Sequence, residues 1–400
     1  LLAENQRFQP ALHFFHRIGI AGLGINNAMQ QVDQKNFHAV TRDAKNVLVV
    51  DLGFLGDTVH LIPALWEIKD HYPQAALHVL TSPLGCEVLK MVACVDKAWA
   101  FPLGPPSPSW WEHWDVLRAM RREKFDVAYN FSGADRSVFV MAFIGAREKL
   151  IYQGARKHFW QPWLVRRWIA RTTLPSPVYE GRRHILSLCG FHLKPARFDL
   201  SVPETERQWA RENIPAAAVH LSLSASFALK EWPMANNLAF VRELLADKNF
   251  DRKIVVSAAP NPREQARLEQ LRHEIRDSRL LPVSEKLSIA RLAALLQRCA
   301  VHVGPDSGVI HLADALGVPT IAIFRRYADM ADFLPRGAQH THFDAPCPCM
   351  TSKNPPCASK DEAACLATIS PELVAAEVCR RLNVAPANYK YEPVHKPGAS

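Results

Sequence analysis

At 400 residues the chain exceeds one typical hydrophobic core, so two domains are the expected organisation. With 48% apolar and 22% charged residues the composition is that of an ordinary soluble globular protein. The formal charge of +9 is interspersed with acidic residues rather than gathered in one run, which argues against a nucleic-acid binder and for an anionic partner: a sugar nucleotide, a phospholipid surface or a phosphorylated glycolipid.

In chain order, residues 1–44 are weakly patterned and read as an N-terminal extension. They lack a signal-peptide layout, and no run approaches the roughly 20 apolar residues of a spanning helix. A cytoplasmic protein is therefore expected, and its nine cysteines are expected to be free thiols or metal ligands rather than disulfides. Order begins at Asn46, where NVLVVDL is a buried-strand run followed by the loop Gly53-Phe54-Leu55-Gly56-Asp57. Val59, Ile62, Leu65, Trp66 and Ile68 then space a helix over 58–71, with Pro63 in its first turns or kinking it. Strands at 77–81, 97–101 and 126–131 alternate with helices at 85–91 and 111–122. That rhythm predicts a parallel sheet with helices on both faces.

Residues 159–171, FWQPWLVRRWIAR, stand apart. Trp160, Trp163 and Trp168 mix with Arg166, Arg167 and Arg171, with Arg156 just before. The mixture suits a segment lying at a lipid headgroup layer, or a helix with tryptophans on the core and arginines in water. A polar stretch at 195–214 marks an interdomain connection, and a second series follows. Its strands are expected at 219–224, 253–258 and 279–283, and its helices at 234–245, 263–276 and 288–299.

The series ends in VHVGPDSGVIHLADALGVPTIAIF, residues 301–324. This reads as strand, tight turn, short helix and strand, with Gly304-Pro305-Asp306-Ser307-Gly308 at the carboxyl end of the first strand, where open α/β sheets bind ligands. Backbone N–H groups at Ser307, Gly308 and Val309 would form a phosphate-attracting helix terminus, with His311 one turn further in. The plain alternative is an Asp/Ser helix cap with no ligand.

Three separated motifs give the chain a family resemblance. They are Gly53-Phe54-Leu55-Gly56-Asp57 running into Pro63-Ala64-Leu65, Ser222-Leu223-Ser224-Ala225-Ser226 followed by Lys230-Glu231-Trp232-Pro233, and Val303 to Gly308 with His311. In that order and spacing they resemble glycosyltransferase family 9, the ADP-heptose:lipopolysaccharide heptosyltransferases. Ser370-Pro371-Glu372-Leu373-Val374 is similar to the family's last helix.

The resemblance implies a GT-B fold, two Rossmann-like doubly wound α/β domains facing a central cleft. The expected division is an acceptor-binding domain at 45–200, a nucleotide-sugar-binding domain at 201–369, a helix at 370–384 returning to the first domain, and a tail at 385–400. It also implies an enzyme that transfers a heptose from ADP-heptose, or a similar nucleotide sugar, to the inner core of lipopolysaccharide with inversion. Such an enzyme works at the inner face of the inner membrane on a lipid-linked acceptor, against an anionic membrane surface, and requires no metal.

Asp57 matches the family's general base, with Gly53 and Gly56 in the acceptor-side loop; the alternative for Asp57 is a simple helix cap. Lys230 matches the phosphate-binding lysine, or else is a solvated surface residue. Asp306, Ser307, Gly308 and His311 match the diphosphate and sugar contacts. Asp306 should bind donor hydroxyls or orient the loop, since a carboxylate does not favour a diphosphate directly. Ser224 and Ser226 add hydroxyls or are turn residues, and Trp232 and Pro233 shape their loop. Two departures stand out: Asp51 where the family often has a basic residue, and Ala258-Ala259-Pro260-Asn261-Pro262 where it often has a Gly-rich or acidic loop.

Cys347, Cys349, Cys357 and Cys365 have the spacing C-x-C-x7-C-x7-C, which is not a standard zinc pattern. They are candidates for structural zinc or iron, as in protein-heptosylating relatives with a Cys-bound iron, or reduced thiols in a surface loop. Cys86, Cys94, Cys189, Cys299 and Cys379 are expected to be packing residues. The competing readings are a protein O-heptosyltransferase, a nucleotide-sugar epimerase with the same fold, and a non-enzymatic basic binding protein. The last leaves Asp57, Lys230 and Asp306 at cleft-facing strand ends unexplained.

Overall fold

The computed structural model describes residues 36–102, 110–132, 134–152, 167–169, 174–327, 329–347 and 362–382. The first half runs α1 (Phe37–Thr41), β1 (Asn46–Val50), α2 (Leu55–His71), β2 (Ala76–Thr81), α3 (Pro83–Leu89), β3 (Lys97–Ala100), α4 (Trp110–Arg122), β4 (Phe125–Asn130), α5 (Asp135–Ile144), β5 (Ala146–Tyr152), β6 (Arg167–Ile169) and α6 (Val178–Leu188). The second runs α7 (Glu204–Asn213), β7 (Ala218–Ser222), α8 (Met234–Ala246), β8 (Ile254–Ser257), α9 (Pro262–Glu274), β9 (Leu280–Val283), α10 (Ile289–Arg298), β10 (Cys299–Pro305), α11 (Gly308–Ala315), β11 (Thr320–Arg326), β12 (His340–Pro346) and α12 (Pro371–Arg381).

Each half builds one six-stranded sheet, ordered β3-β2-β1-β4-β5-β6 and β12-β11-β10-β7-β8-β9. Every pairing is parallel. Parallel strands covered on both faces must be apolar throughout, and Val47, Leu48, Val49 and Val50 of β1 are all fully buried. Strand order reverses beside β1 in one sheet and between β10 and β7 in the other. Such switch points open a crevice at the strands' carboxyl ends. The 53–57 loop leaves β1 there, and the 222–230 and 304–308 loops leave β7 and β10.

The two halves meet through helices. In α2 one face packs on α6 and another on α11. The apolar cluster holding Val59 and Ile62 continues into Leu292 and Ala293 of α10 and Leu312 and Ala313 of α11. Two glycines permit this approach. A Cβ on Gly56 would lie 2.6 Å from His311 Cδ2, and one on Gly308 would lie 2.7 Å from Leu55 Cβ.

Two expectations change here, and a third falls mostly outside the described residues. The expected extension 1–44 is not all extension, since α1 seats Phe37 in the first core and Thr41 Oγ1 lies 2.7 Å from Tyr72 Oη. Among the described residues the last helix packs within the second half, where a return to the first domain was expected. Its face of Val374, Ala375, Val378 and Cys379 joins the second sheet's core against α8, and Thr341 of β12 donates to its buried Glu377 at 2.7 Å. Of the Trp/Arg segment, only 167–169 are described, as strand β6 on the edge of the first sheet. Arg156, Trp160, Trp163, Arg166 and Arg171 lie outside the described residues.

The α2–α11 contact sets a testable constraint. The His311 ring is held by His60 at 3.2 Å, so it cannot swing clear of a new methyl group. Gly56→Ala is expected to destabilise the protein by about 1–3 kcal/mol, the usual range for overpacking. Chemical denaturation of both proteins checks it; a midpoint equal to wild type would mean the two helices are not pressed together in solution.

Candidate active site

Asp57 sits at the third position of α2, because the chain turns directly from β1 into the helix. Its Oδ2 accepts the Phe54 backbone N–H at 2.9 Å, so the capping alternative is realised by one oxygen. The other oxygen, Oδ1, faces the guanidinium of Arg182 at 3.8 Å. Arg182 comes from α6, far along the chain. It donates to the Asp57 carbonyl at 2.5 Å and lies 3.0 Å from Asp51 Oδ2. Asp51 Oδ1 accepts the Gly53 N–H at 3.0 Å. Burial pushes the Asp51 carboxyl above the usual carboxylate range, with Arg182 opposing and Asp57 adding to the shift. The basic group missing next to β1 is thus supplied by another helix.

Across the cleft, Lys230 ends a short 3-10 turn, Ala228–Lys230, and its Nζ lies 2.7 Å from Asp306 Oδ2. Lys230 is therefore ion-paired and partly buried rather than free in solvent. Tyr327 Oη donates to the same oxygen at 3.5 Å, and burial together with Asp306 raises its hydroxyl pKa. His311 Nε2 is 4.0 Å from Asp306 Oδ1, while its Nδ1 is 3.2 Å from His60 Nε2. Burial lowers the pKa of both histidines, and each has further neighbours: His311 lowers that of His60, while Asp306, Asp314 and Asp57 oppose the fall at His311. Near neutral pH the pair is therefore uncharged, with one ring donating to the other.

The terminus of α11 differs from that of α2. Ser307 occupies its N-cap position but makes no capping hydrogen bond through its side chain. The first backbone N–H groups of a helix have no intrahelical partner, so this end can take an anion. Ser307 Oγ and Ser224 Oγ are buried without a hydrogen-bond partner. Buried hydroxyls are normally paired, which makes both available to ligand atoms. Ser226 instead is exposed on the loop.

Sequence reasoning missed several contributors besides Arg182. Glu231 is buried, accepts the Ala225 N–H at 3.0 Å, and pairs with Arg263 at 3.1 Å and Arg267 at 3.4 Å. Those arginines lie on α9, so Glu231 fixes the serine loop to the neighbouring helix. Trp232 is almost wholly buried beneath it, as expected of a residue that shapes the loop. At the cleft mouth Phe54 and Phe227, 62% and 54% exposed, meet edge to face with ring centroids 5.8 Å apart. Lys230 N donates to Phe227 O, so each ring belongs to a loop that also carries a candidate site residue. In the departing 258–262 loop, Asn261 caps α9 by accepting from Glu264 N at 3.0 Å.

Of the cysteine quartet, Cys347 is buried and Cys365 partly buried, while Cys349 and Cys357 lie outside the described residues. Cys94, Cys189, Cys299 and Cys379 are buried and Cys86 is half-buried; burial raises the pKa of all five thiols, as packing cysteines require.

A carboxylate at one switch point faces a lysine and an uncapped helix end at the other. That arrangement can deprotonate a hydroxyl and stabilise a departing diphosphate. Comparison with known proteins points the same way. The sequence profile of Glycosyltransferase family 9 (heptosyltransferase) matches residues 113–363, more than half of the chain. The match includes Lys230 and the 304–311 turn; the Asp57 loop precedes it. The chain is 21% identical over 286 residues to the lipopolysaccharide core heptosyltransferase OpsX of Haemophilus influenzae, covering 71% of this chain and 80% of that protein. The structure of Escherichia coli ADP-heptose lps heptosyltransferase II superposes with a TM-score of 0.65 at 16% identity, over 84% of this chain and 98% of that one. That of Escherichia coli heptosyltransferase WaaC with ADP-2-deoxy-2-fluoro heptose gives 0.63 at 17%, over 85% and 100%. The chain therefore belongs to glycosyltransferase family 9, the heptosyltransferases, and has their GT-B fold.

Proposed function

We propose that the protein transfers a heptose from ADP-heptose to the inner core of lipopolysaccharide, with inversion at the anomeric carbon and without a metal ion. The observation that carries this reading is the facing of Asp57 by Lys230 and the uncapped α11 terminus across one cleft. Relatives named as lipopolysaccharide heptosyltransferases supply the substrate class, and the donor analogue in the WaaC structure supports ADP-heptose.

In this mechanism the acceptor hydroxyl gives its proton to Asp57 Oδ1 as its oxygen attacks the anomeric carbon. The bond to the diphosphate breaks on the opposite face. Lys230 and the N–H groups at the start of α11 hold the growing charge on the leaving ADP, while the hydroxyls of Ser224 and Ser307 bind donor oxygens. Lys230 has Asp306 as partner before the donor arrives. The diphosphate takes over part of that pairing, leaving Asp306 to receive sugar hydroxyls. The acceptor's lipid requires the enzyme to work at the cytoplasmic membrane face, and its net positive charge suits an anionic surface.

The reading is tested with ADP-heptose and a panel of truncated lipopolysaccharides in anionic liposomes, with EDTA present, following ADP release. Release that requires one particular truncation, and weakens as salt is raised, is the expected result. Release with polypeptide acceptors alone would assign a protein substrate, and a requirement for magnesium would overturn the charge-stabilising role of Lys230 and α11.

Asp57→Asn keeps the shape of the cap but cannot accept the proton, so kcat should fall about a hundredfold or more with ADP affinity retained. Near-native turnover in the folded variant would remove Asp57 from the role of base. Lys230→Ala should weaken ADP binding by about 1.5–3 kcal/mol, the range for a charge-assisted hydrogen bond, as read by calorimetry. The loss should be smaller when Asp306 is also replaced by Ala, because the single variant leaves a buried carboxylate facing the diphosphate. Unchanged ADP affinity in Lys230→Ala would place the nucleotide elsewhere.

A further inference from the structure

We propose that Arg182 is a positioning residue for the transfer: its guanidinium holds the Asp57 carboxylate at the cleft and divides its charge between Asp57 and the buried Asp51. The inference rests on the reading of Asp57 as the base.

Geometry carries it. The Arg182 side chain is only 10% exposed and reaches the loop from α6. Nη1 donates to the Asp57 carbonyl, while Nη2 lies 3.0 Å from Asp51 Oδ2 and 3.8 Å from Asp57 Oδ1. The rigid planar fork thus grips the backbone and two carboxylates of one turn. Asp51 ties back to Gly53 N and Asp57 to Phe54 N, so every polar group in the cluster fixes the same loop. A buried guanidinium between two carboxylates adds little stability over an apolar filling of the same volume. Its consequence is instead positional, at the atom that must take a proton.

The surrounding groups leave that consequence to Arg182. His60, one turn along α2, and His311 on α11 are held neutral by burial. Tyr179 of α6 stacks on His60, and Lys230 is engaged by Asp306. Arg182 is thus a cation 3.8 Å from the Asp57 carboxylate, supplied by its own half and shared with Asp51.

The placement sets the expected kinetics. Arg182→Met leaves the base in the cleft but ungripped, so kcat should fall about tenfold while KM for the donor and ADP affinity hold. Arg182→Lys keeps the charge but loses the fork, and should recover only part of that loss. Asp51→Asn loosens the other end of the fork and should lower kcat by less, with no further loss when combined with Arg182→Met. A residue with a merely structural role would lower stability and ADP affinity along with kcat.

The experiment is kcat and KM for these variants, for the double variant and for Asp57→Asn, with ADP-heptose and the truncated lipopolysaccharide that supports wild-type turnover, alongside ADP affinity as a check on folding. A fall in kcat in Arg182→Met at unchanged KM and ADP affinity, partly recovered in Arg182→Lys, establishes the proposal. If Arg182→Met does not fold, Arg182→Lys and Asp51→Asn decide: native kcat in both overturns it. Inactive Asp57→Asn with native kcat in the other variants removes this inference alone. Active Asp57→Asn, or no turnover of wild type with any acceptor of the panel, removes the reading of the base and this inference with it.

Discussion

The molecule depends on the closeness of two helix starts. The helices α2 and α11 begin at the switch points of two different sheets, and each has a glycine where it meets the other: Gly56 against His311 and Gly308 against Leu55. A parallel sheet delivers its loops to one end, but two sheets make a site only if those ends are brought together. Here the shared apolar cluster under α2, α10 and α11 does so, and the absent side chains set how near the loops come. Asp57 and the 304–308 turn are consequences of that contact.

Around this contact each charge has an opposite within its own half. In one, Arg182 lies between Asp51 and Asp57; in the other, Lys230 pairs with Asp306. An unpaired buried charge is expensive, whereas a paired one can exchange its partner for a ligand of the same sign. In the proposed transfer Asp306 keeps Lys230 placed until a phosphate arrives. The His60–His311 pair adds no charge to this arrangement near neutral pH, because burial keeps both rings neutral.

Much of this was legible in the sequence, and what was not has physical reasons. The Val-rich run at β1 and the regular alternation of strand and helix specify two parallel sheets, and the loop after β1 and the turn after β10 can be read locally. Arg182 could not be found that way: its partners Asp51 and Asp57 lie more than a hundred residues earlier, and an arginine on a helix face carries no local mark of what it reaches. Asp51 looked like a departure for the same reason, since its countercharge comes from α6. Glu231 carries no local mark either, since its partners Arg263 and Arg267 come from α9. For α12, the pattern of Val374, Ala375 and Val378 gives a buried face but not the surface that buries it; that choice belongs to tertiary packing, and it fell to α8 and β12.

The two facing helix ends treat their unsatisfied N–H groups differently, and in the proposed transfer this asymmetry separates the two halves of the chemistry. At α2 the protein supplies an acceptor itself: Asp57 Oδ2 takes the Phe54 N–H, one of the N–H groups at that terminus, and its fixed negative charge partly cancels the terminus's field. A second anion there would meet repulsion, while a neutral hydroxyl could approach the remaining oxygen. At α11 Ser307 stands at the cap without capping, its hydroxyl buried and unpartnered, so the positive end of the helix stays open. A phosphate is favoured there and Lys230 stands beside it. Had both ends been capped by carboxylates, no diphosphate could settle in the cleft. Had both been open, nothing would accept the proton.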